Sequence, residues 1–201
     1  NEFYSDLKYN PDYTSVINQK HYERLNGLLS DAKDHGAELV EINPANEDFS
    51  QQESHKIPPT LVLNPTDEMQ IMKEEIFGPL LPIKTYKDIN EPINYINKND
   101  KPLGLYYFGN NKNEESKVVN STTSGGVTLN DIMGHIQQNE LGFGGVGPSG
   151  MGKYDGFDGF MNFSNNKPIY KQIGFGLDKL LDAIRPPYKG SIEDVLKKLL
   201  K

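Results

Sequence analysis

The segment Lys73-Glu74-Glu75-Ile76-Phe77-Gly78-Pro79, KEEIFGP in one-letter code, combines two adjacent carboxylates, an aromatic ring and a Gly-Pro pair. The glycine tolerates a positive φ and the proline disfavours helix at the residue before it, so the segment predicts a sharp turn. The apolar residues Leu80 to Ile83 follow and predict a buried strand. A carboxylate accepts two hydroxyl hydrogen bonds, as a ribose diol offers, and a phenylalanine ring packs against a flat heterocycle. The alternative interpretation is a helix-to-strand turn whose acids face solvent.

Helical and strand patterns alternate on both sides of this segment. Apolar positions with helical spacing predict helices over Asn18 to Gly36, Asp88 to Ile96, Asn113 to Ser121, Leu177 to Ile184 and Ile192 to Leu200. Short apolar runs predict strands over Glu38 to Ile42, Ile57 to Leu63, Leu80 to Tyr86, Leu103 to Phe108 and Gly125 to Leu129. The first seven residues are predicted to end a helix, and Asn43 to Lys56 to form an exposed loop. This alternation predicts an α/β fold with a largely parallel sheet flanked by helices.

Length and composition limit the classes of protein to consider. The 201 residues carry a net charge of −7, with 35% hydrophobic and 24% charged residues, which is typical of a soluble acidic protein. No basic cluster predicts a nucleic-acid partner, no apolar run approaches the roughly 20 residues that span a bilayer, and no signal peptide opens the chain. We therefore expect a cytoplasmic protein without a membrane partner. The absence of cysteine excludes disulfides, thiolate metal sites and a cysteine nucleophile, and no metal site is predicted.

Three longer runs extend the opening segment: Ile57 to Gly109, SGGVTLND at Ser124 to Asp131, and FGGVGPSGMG at Phe143 to Gly152. These runs resemble the aldehyde dehydrogenase family, most closely the class that oxidises aromatic aldehydes such as coniferyl aldehyde. They occur in the family's order, and the resemblance extends from Asn10 to Lys171. It implies three parts: the distal part of a catalytic domain in residues 1–155, an oligomerisation strand segment in 156–172 and a helical tail in 173–201.

The resemblance implies that the opening segment orients a nicotinamide cofactor. Glu75 would hold the nicotinamide-ribose hydroxyls of NAD or NADP, and Phe77 would pack near the nicotinamide ring. The family uses a cysteine nucleophile and, before it, a glutamate base, and the first residues of this chain resemble sequence downstream of both. We therefore expect the C-terminal portion of an NAD(P)-dependent aldehyde dehydrogenase, inactive by itself because it has no catalytic residue of its own. The alternatives are a portion of a coenzyme A-acylating relative, or a non-catalytic binding or assembly module with this fold.

Four residues further along would belong to the active site by the same resemblance. Asn130 would support its floor, although an Asx turn explains an Asn-Asp pair at a strand end equally well. The pocket for a small-molecule aldehyde would be lined by Ile132, His135 and Phe143. For Phe143 the alternative is an ordinary core aromatic. Gly142 replaces the proline that usually precedes this phenylalanine in the family.

The glycine-rich run after Phe143 matches a dinucleotide fingerprint without its context. Gly145, Gly147 and Gly150 satisfy G-x-G-x-x-G, which requires a preceding strand and a following helix whose N-terminus receives the pyrophosphate. Pro148 interrupts the run and further glycines follow it, a composition that is hostile to a helix. We therefore predict a closely packed loop with positive φ angles, not a phosphate site.

The segment Phe160 to Gln172 alternates weakly between apolar and polar residues. It resembles the family's late strand, which pairs between subunits, so the resemblance implies a homo-oligomer, expected to be a dimer. The alternative is an ordinary edge strand within one subunit.

Overall fold

The structure is a computed structural model that describes residues 2–172, 185–186 and 192–200. Two compact units make up the chain, Asn1–Tyr95 and Ile96–Lys201. The helix predicted over Leu177 to Ile184 lies outside the described residues. The division predicted at residues 155 and 172 concerns the family's domains and stays a prediction.

The first unit is built on one helix and a three-stranded sheet. Helix α1 spans Gln19–Asp34, and the strands, in their order across the sheet, are β1 (Glu38–Glu41), β2 (Thr60–Leu63) and β3 (Leu80–Ile83). β1 runs antiparallel to β2, whereas β3 runs parallel to it with Pro82 opposite Val62. A short 3-10 turn at Gln70–Met72 precedes β3, and helix α2, Asn90–Lys98, follows it across the boundary between the units.

The sequence specifies both ends of α1. The Asn18 side chain accepts a hydrogen bond from the His21 amide at 3.0 Å, which caps the first turn. Gly36, at a φ of 89°, follows the last turn in the left-handed region that glycine adopts without strain. Between these ends, one face of the helix is buried. The core of the unit consists of buried residues from this face, from strands β2 and β3, from the 3-10 turn and from the segments that adjoin these elements: Leu25, Leu28, Ala32, Ala37, Ile57, Val62, Met69, Ile71 and Leu80.

The second unit contains a parallel pair of strands joined by a helix. Its elements are β4 (Gly104–Tyr107), α3 (Lys112–Ser121), β5 (Gly126–Leu129), α4 (Gly156–Asn162) and α5 (Ile192–Leu199). β4 and β5 pair in parallel, with Tyr107 opposite Leu129. The Asn111 side chain caps α3, since it accepts hydrogen bonds from the amides of Asn113 and Glu114. A strand, a crossover helix and a parallel strand are the repeating unit of α/β proteins.

The predicted α/β class is confirmed. The chain contains a parallel pair of strands in each unit, β2 with β3 and β4 with β5. Helices alternate with the strands along the sequence. The antiparallel β1 is an addition that the sequence pattern does not distinguish from a parallel strand. Among the residues that the structure describes, no helix is both long and apolar enough to cross a membrane.

Two segments differ from their predicted structure. Residues 2–7 contain no helix, because the amides of Leu7 and Lys8 bond to a side chain elsewhere in the unit. Phe160 to Gln172 is also not a strand in the single chain: α4 includes residues 160–162, and residues 163–172 form neither helix nor strand. Pairing of this segment between subunits stays a prediction. A strand requires hydrogen bonds to a neighbour. Within the described part of the second unit, the sheet consists of β4 and β5 alone, so this segment has no strand beside it.

Candidate functional site

The KEEIFGP segment forms the predicted turn between the 3-10 turn and β3. Residues 73–79 contain neither helix nor strand, and the Pro79 carbonyl accepts the Thr60 amide at 2.9 Å, which joins the end of the turn to β2. Phe77 has a φ of 46°, in the left-handed region that non-glycine residues rarely adopt. Phe77 is 76% exposed, so the turn presents its ring at the surface of the unit.

The two carboxylates of the turn have different surroundings. The Glu74 carboxylate lies 3.5 Å from Nη1 of Arg24, which projects from α1. The same guanidinium donates from Nη1 to the Glu75 carbonyl at 3.3 Å and from Nη2 to the Ile76 carbonyl at 2.5 Å. Glu75 is exposed, and its carboxylate has no hydrogen-bonding or ionic partner among the described residues. Glu75, the acid that is predicted to hold a ribose, therefore has carboxylate oxygens that remain available.

A cavity of about 770 Å³ opens beside Phe77 within the first unit. This volume lies in the range of small-molecule sites. The walls are formed by Tyr4, Tyr13, Thr14, Ser15, Val16, Ile17, His21, Phe77, Gly78 and Pro79. Sequence reasoning misses the tyrosines and the histidine, because no local pattern connects the start of the chain to the turn.

Tyr13 is fixed in one wall of this cavity. Its hydroxyl donates a hydrogen bond to the Ile57 carbonyl at 2.6 Å, and its ring meets that of Tyr4 edge-on, with 5.5 Å between the centroids. Burial, with Tyr4 close by, raises the pKa of Tyr13 to about 12. The hydroxyl therefore remains a protonated donor at neutral pH.

Two charged side chains hold the backbone that precedes Tyr13. The Glu47 carboxylate accepts hydrogen bonds from the amides of Leu7 and Lys8 at 2.6 and 3.0 Å. Lys56 donates from Nζ to the carbonyls of Leu7 and Asn10 at 3.1 and 2.6 Å, and it is only 7% exposed. The predicted exposed loop is thus wrong for Lys56. Its ammonium is buried because carbonyls from 46 and 49 residues earlier replace its hydration.

In the second unit, Asn130 lies where β4 and β5 end. Its side chain accepts the Gly109 amide at 2.8 Å and donates to the Gly109 carbonyl at 3.0 Å, while its own amide donates to the Tyr107 carbonyl at 2.8 Å. Its φ is 55°, in the left-handed region. The side chain therefore links the two strand ends, an arrangement that suits a supporting residue. The predicted active-site role itself stays a prediction.

His135 is buried, with 9% of its surface exposed. Its amide donates to the Thr128 hydroxyl oxygen at 3.1 Å, and its Nδ1 lies 2.6 Å from the same oxygen. Which of the two atoms carries the proton of the bond between Thr128 and Nδ1 depends on the tautomer of the ring. Nε2 is buried and has no hydrogen-bonding partner among the described residues. The ring lies 5.9 Å from that of Tyr106 and 6.2 Å from that of Phe143.

The other two predicted pocket residues have different positions. Phe143 is half-buried, and its ring meets that of Tyr154 edge-on at 5.4 Å, so the structure brings it together with His135. Ile132 lies on the surface and is 61% exposed. A pocket role for all three stays a prediction, and for the buried His135 it would require the ring to be uncovered.

The glycine-rich loop has the predicted close packing. The backbones of Phe143 and Tyr154 exchange hydrogen bonds of 2.7 and 2.9 Å across its base. Gly147 and Gly150 are bridged at its tip and have positive φ angles. The next helix begins only at Gly156, so the helix that a dinucleotide fingerprint needs does not follow the motif.

The sequence profile of the aldehyde dehydrogenase family matches residues 3–169, which is most of the chain. This chain belongs to the aldehyde dehydrogenase family. The resemblance carried by its motifs is thereby confirmed. The residues predicted to hold the cofactor, Glu75 and Phe77, lie in the first unit, and those predicted to line the pocket lie in the second.

Similar proteins are longer than this chain. It is 50% identical over 194 residues to a probable coniferyl aldehyde dehydrogenase of Caulobacter vibrioides, and 47% identical over 197 residues to a coniferyl aldehyde dehydrogenase of a Pseudomonas species. These matches cover 96% and 98% of this chain and 40% of each relative. Among solved structures, a substrate-bound state of Staphylococcus aureus AldH is similar, with a TM-score of 0.68 and 36% identity over 96% of this chain and 40% of that one. The chain thus spans about 40% of the length of the curated relatives that it matches.

Proposed function

We propose that the chain is the cofactor-orienting and pocket-forming C-terminal portion of an NAD- or NADP-dependent aldehyde dehydrogenase. Its substrate would be an aromatic aldehyde such as coniferyl aldehyde, which the whole enzyme would oxidise to the carboxylic acid. The observation that carries the proposal is the turn at Glu74–Phe77, where Arg24 binds one carboxylate while Glu75 and the Phe77 ring remain available. The names of the two bacterial relatives support the substrate class.

The residues of the turn fit the nicotinamide half of such a cofactor. Glu75 offers two acceptor oxygens for the two hydroxyls of a ribose. Phe77 offers an exposed flat ring at the edge of a cavity of about 770 Å³. When bound, the cofactor would accept the hydride that leaves the substrate carbon. Glu75 would orient the ribose, and Phe77 would cover the ring beside it and exclude water.

The chain by itself is expected to be inactive. The family forms a covalent intermediate on a cysteine thiolate, and this sequence has no cysteine, so the covalent route is absent. The purified 201-residue chain should produce no reduced nicotinamide from coniferyl aldehyde with either NAD or NADP. Turnover by the chain alone would contradict the proposed division of roles.

A chimera tests the proposal positively. In it, this chain replaces the matched 40% of the Caulobacter vibrioides relative. The folded chimera should reduce NAD or NADP with coniferyl aldehyde, and the unmodified relative is the control. A chimera that folds and still neither binds nor reduces the cofactor would contradict the proposal. Reduction that depends on added coenzyme A would instead indicate acyl transfer to that thiol.

We also propose that the enzyme is a homo-oligomer, expected to be a dimer. Phe157, Phe160 and Phe163 are 72%, 67% and 84% exposed within the described part of the chain, and such apolar surface normally marks an interaction site. Light scattering on the chain should show self-association, and a double variant, Phe160→Ser with Phe163→Ser, should weaken it. A wild-type chain that stays monomeric at high concentration would contradict this proposal.

A further inference from the structure

One side chain of α1 contacts three consecutive residues of the KEEIFGP turn. Arg24 lies against the Glu74 carboxylate and donates to the carbonyls of Glu75 and Ile76. The hydrogen-bonded residues are separated by 51 and 52 positions in sequence, so this contact joins two distant parts of the first unit. The Arg24 side chain is 27% exposed, so it is half-buried against the turn.

We infer that Arg24 is a positioning residue, which fixes the backbone of the turn and thereby the directions of the Glu75 carboxylate and the Phe77 ring. The catalytic part of the inference rests on the proposed function, because the Glu75 carboxylate and the Phe77 ring would contact the nicotinamide cofactor. Its structural part, the dependence of the turn on Arg24, stands independently of the cofactor.

Arginine has the chemistry that this contact needs. A guanidinium is planar and carries five N–H donors in a fixed fork, so its two terminal nitrogens can serve two successive carbonyls and a carboxylate together. A lysine ammonium is a compact, strongly hydrated charge on a flexible stem, and it does not reproduce that fork. The hydrogen bonds to the carbonyls, more than the positive charge, therefore distinguish Arg24 from a surface ion-pairing residue.

The conformation of Phe77 explains why the turn needs to be held. A φ of 46° is sparsely populated for phenylalanine, and such angles persist only where surrounding contacts determine them. Arg24 binds the carbonyls of the two residues before Phe77. Directly after it, Gly78 lies so close to the fully buried Leu25 that a Cβ atom would overlap that side chain. Adjacent residues of α1 thus fix the backbone on both sides of Phe77.

The first test measures the Phe77 backbone by NMR in the 201-residue chain. A positive φ brings an amide hydrogen close to the Hα of its own residue, so Phe77 should give a strong intraresidue NOE in the wild type. In Arg24→Lys this NOE should fall to the level of averaged loop residues, with the rest of the spectrum retained. Glu74→Gln, which keeps the carbonyl contacts, and Lys20→Ala, an exposed control on the same helix, should leave it strong. An unchanged NOE in Arg24→Lys would overturn the inference.

The second test measures the consequence for the cofactor in the chimera described above. Arg24→Lys should raise the KM for the dinucleotide and leave the KM for the aldehyde unchanged, a split that general destabilisation would not produce. Equal kinetics for Arg24→Lys and the parent chimera would overturn the catalytic part of the inference. If the parent chimera does not bind the dinucleotide, the proposed function fails, whereas loss of the Phe77 NOE in Arg24→Lys would still establish the structural role.

Discussion

Phe77 and Asn130 are both non-glycine residues in the left-handed region, with φ angles of 46° and 55°, but they are held there in different ways. Asn130 is held by its own side chain, whose amide group is used by the backbone of Gly109. Phe77 is held by neighbours, because Arg24 binds the carbonyls before it. A side chain that is bonded to the backbone in this way has less hydrogen-bonding capacity left for a ligand. A side chain whose backbone is fixed by others remains available.

The same contrast separates the two ionisable residues predicted for the site. His135 is buried and its Nδ1 bonds to Thr128, so its geometry serves the interior of the second unit. Glu75 is exposed and its carboxylate has no partner among the described residues. The turn of the first unit therefore has the features of a binding surface, and the Asn130–His135 region has those of a structural support within the second unit.

Replacing Asn130 tests the scaffold side of this contrast. Asn130→Ala should lower the free energy of unfolding by about 2–3 kcal/mol, because it removes two hydrogen bonds and places a Cβ residue without local hydrogen bonds in the left-handed region. Asn130→Gly loses the same bonds without the conformational cost, so its loss should be smaller, roughly 1–2 kcal/mol. Urea denaturation of the chain measures both. Equal decreases in the free energy of unfolding for the two variants would show that the φ angle of residue 130 contributes nothing to the difference in stability.

Replacing the two glutamates of the turn tests the binding side. In the chimera, Glu75→Gln should raise the barrier to hydride transfer by about 0.5–3 kcal/mol, because an uncharged amide positions a ribose diol less strongly. Glu74→Gln should have a milder effect, since this carboxylate faces Arg24. Pre-steady-state formation of reduced nicotinamide measures the difference. Equal rates for the parent and Glu75→Gln would exclude the assigned role.

The elements that are visible in the sequence are those whose signals are local. Helix α1 begins one residue after its Asn18 cap and ends just before Gly36, as its apolar spacing predicts. Strands β2 to β5 lie within the predicted apolar runs. Phe160 to Gln172 forms no strand in the single chain, because weak alternation does not provide a neighbouring strand and residues 160–162 join a helix. Its pairing between subunits stays a prediction.

The site was only partly predictable for the same reason. The turn and the position of Asn130 at a strand end follow from local sequence and from the resemblance. Three contacts that shape the site have no local signal: Arg24 with the turn, Lys56 with Leu7 and Asn10, and Tyr13 with Ile57. Each joins residues that are more than 40 positions apart, so only the folded chain brings them together.

The cavity wall beside Phe77 is expected to loosen at high pH. The pKa of Tyr13 is raised from 10.0 to about 12, so the stability from its protonated hydroxyl is fully present below pH 10 and is lost as the pH rises through 12. Below pH 10, Tyr13→Phe should cost about 0.5–1.5 kcal/mol through the lost hydrogen bond to Ile57. The difference between wild type and variant should shrink above pH 10 and change sign toward pH 12, because burial disfavours the ionised hydroxyl of the wild type and the variant has no such group. Urea midpoints of both chains across this range measure it, since other titrating groups cancel in the comparison.

The smallest expected effect on stability is at Phe77 itself. Because the residue is 76% exposed, Phe77→Ala removes little buried surface and should change the free energy of unfolding by no more than about 0.5 kcal/mol. The alanine keeps a Cβ, so the strained φ of 46° persists in the variant, as do the Arg24 hydrogen bonds to the carbonyls of Glu75 and Ile76. In the chimera the same change should raise the KM for the dinucleotide, because the ring that packs on the cofactor is gone. A loss of stability as large as that of Asn130→Ala would mean that the ring supports the fold. Phe77 would then have a structural role, as Asn130 has, and not a binding role.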